Sequence, residues 1–158
     1  MTGTVNSCRV VVLVKALPQP SKTYGETVCC AGVTADRQWK RLFPIRFRHL
    51  TGDGSFSRWD WVRFDYRRPT RDPRKESCHV HEETIAIDGK PLPEKERVRL
   101  LTPMIVASSD AATARGDSLA IIRPKNTRFH YKPKKQTQIQ KERDAYKRAA
   151  SQTCSTKT

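Results

Sequence analysis

Residues 59–68 read W-D-W-V-R-F-D-Y-R-R, the clearest alternating segment of the chain. Because successive side chains of a strand point to opposite sides, Val62, Phe64 and Tyr66 fall on one face of a predicted strand. Two indoles and two guanidinium groups share the opposite face: Trp59, Trp61, Arg63 and Arg67. The segment therefore predicts a strand with an apolar core side and a basic, aromatic outer side.

Strands are also predicted on the N-terminal side of this segment. Residues 9–15, R-V-V-V-L-V-K, are β-branched and apolar on both faces, which is typical of a central strand covered on both sides. Residues 27–34, T-V-C-C-A-G-V-T, predict a second strand. Gly32 within it indicates a bulge or a close approach of another backbone.

A third strand is predicted over residues 39–49, with Ile45 and Phe47 facing the core. Pro44 should interrupt it or mark an edge, because proline cannot donate a ladder hydrogen bond. Residues 77–87 again show the alternation of a strand. Short helices are predicted over residues 94–101 and from the cap at residues 108–110 through Arg115.

These elements predict a mainly β fold, with an α+β arrangement as the alternative. Many short strands with tight turns favour a small, partly open β-barrel carrying two short helices. We expect a β-rich domain over residues 1–132. Residues 133–158 are basic and poor in apolar side chains, so they predict a helical or disordered tail.

The charge balance indicates the class of partner. The 158 residues include 31 Lys and Arg against 16 Asp and Glu, a formal net charge of +15. Such self-repulsion is commonly relieved by an anionic partner, nucleic acid above all. A membrane partner is not expected, because the longest apolar run, Val10–Val14, is far shorter than a bilayer span.

The N-terminal sequence and the cysteines predict a cellular compartment. Residues 1–9 contain no basic region leading into an apolar segment, so no signal peptide is predicted. The five cysteines are odd in number and irregularly spaced, which argues against a disulfide framework. We therefore expect a cytoplasmic protein.

The leading functional hypothesis is a non-catalytic protein that binds RNA or DNA, the two remaining undistinguished. Arginine contacts phosphate with a planar fork, and indole stacks on bases without sequence preference. The predicted stacking residues are Trp59 and Trp61, and the predicted rim is Lys22 and Tyr24. The predicted phosphate contacts are Arg46, Arg48, Arg63, Arg67, Arg68, Arg71, Arg74 and Lys75.

Two alternatives stay open. The chain could be a basic subunit of a larger ribonucleoprotein or defence assembly, where contacts with other proteins dominate. It could also be a small nuclease in which His79 and His81 act as general base and acid. A zinc site joining Cys29-Cys30 to Cys78-His79-Val80-His81 is not predicted, because neither segment has the usual C-x₂-C spacing. We predict no metal or other cofactor.

Several motifs together resemble a family of uncharacterised bacterial proteins. They are K-A-L-P-Q-P-S (15–21), Y-G-E-T-V-C-C-A-G (24–32), W-K-R-L-F-P-I-R-F-R (39–48), R-W-D-W-V (58–62) and D-S-L-A-I-I-R-P-K (117–125). The resemblance covers residues 10–124 and corresponds to the N-terminal part of proteins that continue into a Cys/His-containing region. That region does not follow here, so the resemblance implies a folded bacterial module and no metal chemistry.

Overall fold

A computed structural model describes residues 4–21, 23–47, 50 and 55–154 of the protein. Two predicted contact residues, Lys22 and Arg48, lie outside this part of the chain. Within it, the strands are β1 (Asn6–Lys15), β2 (Gln19–Ser21), β3 (Gly25–Val33), β4 (Trp39–Ile45), β5 (Trp61–Arg67), β6 (Ser77–Ile87), β7 (Ile105–Val106) and β8 (Ile121–Ile122). The helices are α1 (Glu94–Leu101), α2 (Ser109–Ala114) and α3 (Gln136–Cys154), and a 3₁₀ turn (Thr102–Met104) follows α1.

Five strands form a closed barrel. They follow the order β1-β5-β6-β4-β3, and β1 closes the ring because it pairs with both β5 and β3. Every pairing in the ring is antiparallel except that of β4 with β6. This Greek-key order, with one parallel pair between the third and fifth barrel strands, is the connectivity of an OB-fold barrel. The mainly β barrel predicted from the sequence is confirmed.

The barrel interior is filled by the residues that the alternation assigned to it. Val62, Phe64 and Ile45 are fully buried, and Phe47 and Tyr66 pack at the edge of the cluster. The cluster also contains Val10, Val12, Val28, Cys30, Leu42, Phe56, Cys78, Val80 and Ile85.

A second apolar cluster lies outside the barrel, between β1 and α1. Val11 and Leu13 point away from the interior and are buried there. The predicted covering of β1 on both sides is therefore confirmed. The other members are Val33, Leu92, Trp39, Trp59, Trp61, Leu100, Leu101 and Met104, and we call this set the tryptophan cluster.

Two special residues of the barrel lie at irregular points of its strands. Gly32 meets the predicted close approach, since a Cβ atom there would lie 2.6 Å from the carbonyl oxygen of Val11. Pro44 lies where β4 ends, as predicted: the pairing with β6 ends at Phe43 and the strand at Ile45, short of the predicted residue 49. The β3–β4 register shifts opposite Pro44, so its missing N–H falls at an irregularity of the ladder. The Phe43–Pro44 peptide bond is cis.

The C-terminal segment adds a third helix where the sequence predicted two. Helix α3 packs against β2 and β3, and the Tyr146 hydroxyl donates a hydrogen bond to the Pro18 carbonyl at 2.6 Å. Ala149 is buried. The basic tail is therefore helical over Gln136–Cys154 and docks on the barrel.

Candidate nucleic-acid interface

A groove of about 360 Å³ runs along the outer face of β4 and β6. Leu42 and Cys78 point into the barrel, so their neighbours in the strands point outward. The loop of residues 68–76, which joins β5 to β6, forms the wall of the groove. The lining residues are Cys29, Arg41, Phe43, Pro69, Arg71, Asp72, Arg74, Ser77, Cys78 and His79, and we call this feature the β4–β6 groove.

Three side chains form a row across the groove. His79 of β6 lies in register with Phe43 of β4 on one side and Arg67 of β5 on the other. Phe43 is 40% exposed, which is unusual for such an apolar ring, and Tyr24 contacts it edge-on with ring centroids 6.0 Å apart. The row thus places an aromatic ring, an imidazole and a guanidinium side by side.

The wall of the groove is held by Asp72. Its carboxylate accepts hydrogen bonds from Arg74 Nε and Nη2 at 2.8 and 2.7 Å and from Ser77 Oγ at 2.6 Å. These bonds hold the pKa of the Asp72 carboxyl far below its usual range, so the group stays ionised. The charge of Arg74 is therefore neutralised within the loop. Arg71 is exposed, and its guanidinium forms no hydrogen bond or ion pair with any described residue.

Arg41 supplies a fixed cation to the floor. Its Nη2 donates to Ser118 Oγ at 3.0 Å, and its Nη1 lies 3.8 Å from Cys29 Sγ. The Ser118 hydroxyl in turn donates to the buried carboxylate of Glu76. Arg41 Nε is buried and has no hydrogen-bond partner in the described part of the chain. The side chain is thus held in place without an ion pair of its own.

His79 is an electrically neutral member of the row at pH 7. Burial lowers the pKa of its imidazole below 6.5, and the nearby charge of Arg67 and the imidazole of His81 lower it further. His81 lies two residues along the same strand, with Nδ1 3.6 Å from a Glu83 carboxylate oxygen.

The predicted phosphate contacts divide into paired and free cations. Arg46 binds Glu82 at 2.7 Å, and Lys75 lies 3.3 Å from Asp117. Arg68 is exposed and donates to the Lys75 carbonyl at 3.3 Å. Arg63 lies on the outer face of β5 beside Arg9, away from the groove. Two cations are left without an acidic partner in the described residues: Arg71, which lines the groove, and Arg67, which lies opposite His79 at its edge.

The tryptophans require a correction. The sequence placed Trp59 and Trp61 on an open basic surface, but both are half-buried in the tryptophan cluster beside α1. Their rings are covered by the protein's own cations, with Arg97 4.3 Å from the Trp59 centroid and Arg9 4.2 Å from that of Trp61. These contacts stabilise the fold and occupy part of the surface of each indole.

A family profile described as a domain of unknown function, DUF8758, matches residues 6–103. The chain belongs to this family. The DUF8758 segment contains β1 to β6 and α1, and therefore the whole barrel and every residue that lines the β4–β6 groove. No curated protein and no solved structure matches the chain. The resemblance to bacterial proteins with a Cys/His-containing region stays a prediction.

The DUF8758 barrel also borders a larger cavity, of about 630 Å³, against the segment that follows it. Arg37 and Lys40 line one side, and Lys75 and Arg115 line another. Both Lys75 and Arg115 bind the single carboxylate of Asp117, at 3.3 and 2.8 Å. This cavity therefore also carries net positive charge, and it differs from the β4–β6 groove in lacking the exposed ring of Phe43.

Sequence reasoning missed Phe43 and Arg41 as candidate residues of the β4–β6 groove. A signal was present in R-L-F (41–43), because an inward Leu42 requires both of its neighbours to point outward. His79, which the nuclease alternative names as a general base or acid, lies in the groove opposite Arg67.

Among the described residues, no three or more His, Cys, Asp and Glu side chains come together in a way that could hold a metal ion. Among the helices of the same part of the chain, none has the length and apolar character needed to cross a membrane.

Proposed function

We propose that this DUF8758 protein binds nucleic acid without chemistry, through the β4–β6 groove. Arg67 and Arg71 contact phosphates, and Arg41 adds a fixed positive charge at the floor. Phe43 offers a ring to a base. The observation that carries the proposal is the combination, in one groove, of an exposed aromatic ring with guanidinium groups that have no acidic partner in the described chain.

The connectivity of the barrel supports this location by analogy. OB-fold barrels bind oligonucleotides on the face of their second and third strands, between the loops that join strands one to two and four to five. Here those strands are β3 and β4, and those loops span residues 16–24 and 68–76. The groove borders that position, because Cys29 of β3 and Phe43 of β4 line it, while its other strand residues come from β4 and β6. This support is by fold analogy alone, and the chemistry of the groove supports the proposal independently.

The net charge of +15 supports a polyanionic partner over a neutral one. Release of counterions from nucleic acid would give binding a steep dependence on salt. The proposal also keeps the cytoplasmic location and the bacterial origin predicted from the sequence.

The test is fluorescence anisotropy with labelled single-stranded and duplex oligonucleotides, in RNA and DNA forms, from about 50 to about 200 mM salt. The R67A/R71A double variant should bind about tenfold more weakly, and its salt slope should fall by about 2. A K95A/R99A variant is the matched control, because it removes the same charge from exposed positions of α1. Its affinity should change by less than about twofold.

Failure of the wild-type protein to show salt-sensitive binding to any of the four probes would overturn the proposal. Equal losses in R67A/R71A and K95A/R99A would indicate a general charge effect and would remove the groove as the site. Cleavage of a probe that is lost in H79A/H81A would instead favour the nuclease hypothesis. A protein partner retained after nuclease digestion would favour the assembly hypothesis.

A further inference from the structure

A strongly basic segment links β8 to α3. Residues 123–135, R-P-K-N-T-R-F-H-Y-K-P-K-K, contain six Lys and Arg and no Asp or Glu. The segment forms neither helix nor strand, and all of its residues are exposed. Lys134 binds Glu142 of α3 at 2.7 Å, which ties the C-terminal end of the segment to the helix. We call residues 123–135 the basic arm.

The basic arm exposes two aromatic rings. Phe129 is 89% exposed, the highest value among the exposed large apolar side chains of the described residues. Tyr131 is 79% exposed, the same value as Leu17. Their ring centroids are 6.2 Å apart, and the ring planes are inclined by 24°. Positions i and i+2 of an extended chain point to the same side, so the two rings form one stacked platform.

We infer that the basic arm binds single-stranded nucleic acid, with unpaired bases stacking on Phe129 and Tyr131 and the flanking cations contacting phosphates. The inference rests on the proposed function and specifies its ligand. Aromatic platforms accept any base by its π-face, but only when the base is free of its own duplex stack. The arm should therefore contribute to single strands much more than to duplexes.

The composition of the arm favours this ligand over a protein surface. Protein interfaces are depleted of lysine, whereas residues 123–135 contain four lysines and no Leu, Ile, Val or Met. The charge of this region is of one sign only, since no Asp or Glu occurs from residue 118 to residue 141. Planar rings between Arg128 and Lys132 match a chain of stackable bases joined by phosphates.

The test compares the full-length wild-type chain with F129A/Y131A, using a single strand of about 16 nucleotides and a duplex of the same sequence. Affinity of the variant for the single strand should fall about tenfold or more, because each stacked base contributes strongly to binding. Affinity for the duplex should change by less than about twofold. The F129Y/Y131F variant keeps both rings and should bind both probes as the wild type does.

Each other outcome decides the matter. Unchanged single-strand binding in F129A/Y131A, with wild-type binding intact and R67A/R71A impaired, would overturn the inference and leave the groove proposal standing. Equal losses for single strand and duplex would overturn the single-strand preference. Absence of wild-type binding to either probe would overturn the inference and the proposed function together. Because both side chains are exposed, the variant should keep the wild-type unfolding midpoint.

Discussion

The tryptophan cluster and the β4–β6 groove both combine arginine with aromatic side chains, but the arginines interact with different partners in the two regions. In the tryptophan cluster, Arg9 and Arg97 cover indole rings, and Arg9 also binds Asp88 at 2.8 Å. In the groove, Arg71 has no such partner in the described residues, and Phe43 remains 40% exposed. A basic, aromatic composition therefore indicates a binding surface only where the cations have no acidic or aromatic partner within the protein.

The largest effect is expected from Trp61→Ala in the tryptophan cluster. The substitution removes a half-buried indole and the ring under Arg9, so the free energy of unfolding should fall by about 2–4 kcal/mol. Urea denaturation followed by circular dichroism measures it. Affinity for oligonucleotides below the unfolding transition should stay within about twofold of wild type. A large loss of affinity in a folded Trp61→Ala protein would place the interface at this cluster.

Gly32→Ala tests the part of β3 that lies between the tryptophan cluster and the barrel interior. Its β3 neighbour Val33 belongs to the tryptophan cluster, while Cys30 belongs to the barrel interior. A Cβ atom 2.6 Å from the Val11 carbonyl oxygen forces β1 and β3 apart, and we expect a loss of about 1–3 kcal/mol. Ala31→Gly, one residue earlier in the same strand, serves as the backbone comparison. A thermal midpoint for Gly32→Ala equal to that of wild type would contradict the close approach.

His79 should make binding depend on pH. Because its pKa lies below 6.5 in the folded protein, the imidazole gains a proton only as the pH falls through that lowered value. The added charge beside Arg67 should then raise affinity for a polyanion by up to about fivefold between about pH 7 and about pH 5. His79→Gln should flatten this rise in anisotropy titrations. A rise of the same size in His79→Gln would assign it to other groups.

The same titration has the opposite effect on stability. The unfolded chain, with the higher His79 pKa, binds the proton more readily than the folded chain does. The contribution of His79 to the free energy of unfolding is therefore present above about pH 6.5 and is lost as the pH falls toward the lowered pKa. Denaturation midpoints at several pH values should show a shallower acid decline in His79→Gln.

The smallest effect is expected from Arg46→Ala. Although Arg46 was a predicted phosphate contact, its guanidinium is engaged by Glu82 at 2.7 Å. Its removal should change affinity by less than about twofold, well below the loss in R67A/R71A. Anisotropy under identical salt measures both. A loss in Arg46→Ala comparable to that in R67A/R71A would break the distinction between paired and free cations.

Local alternation was enough to predict the barrel core. Val62, Phe64 and Ile45 face inward because the period of a strand is two, and any apolar face must find a core. The tryptophans could not be placed in this way. The outer face of β1 and β5 is covered by α1, which begins at Glu94, far along the chain from both strands, and a strand pattern contains no information on it.

The basic composition of the candidate site could be predicted from the sequence, but the ion pairs that its arginines form could not. The loop of residues 68–76 is visibly basic, and it does form the wall of the groove. Which of its arginines are free depends on partners such as Asp72, which binds Arg74. Outside the loop, Arg46 is likewise paired with Glu82, which lies in β6. Exposure of Phe43 likewise follows from the barrel order, which one sequence does not reveal.

The double pairing of β1 has a consequence for how the chain acquires its shape. Its partners in β5 lie 50 to 60 residues away, Trp61 opposite Val11 and Tyr66 opposite Asn6. Long closures of this kind make β-barrels slow to fold, in milliseconds to seconds. On a ribosome, the apolar segment Val10–Leu13 would wait through the synthesis of three further strands before its final neighbour emerged. The first barrel strand to be synthesised is thus among the last to be fully paired.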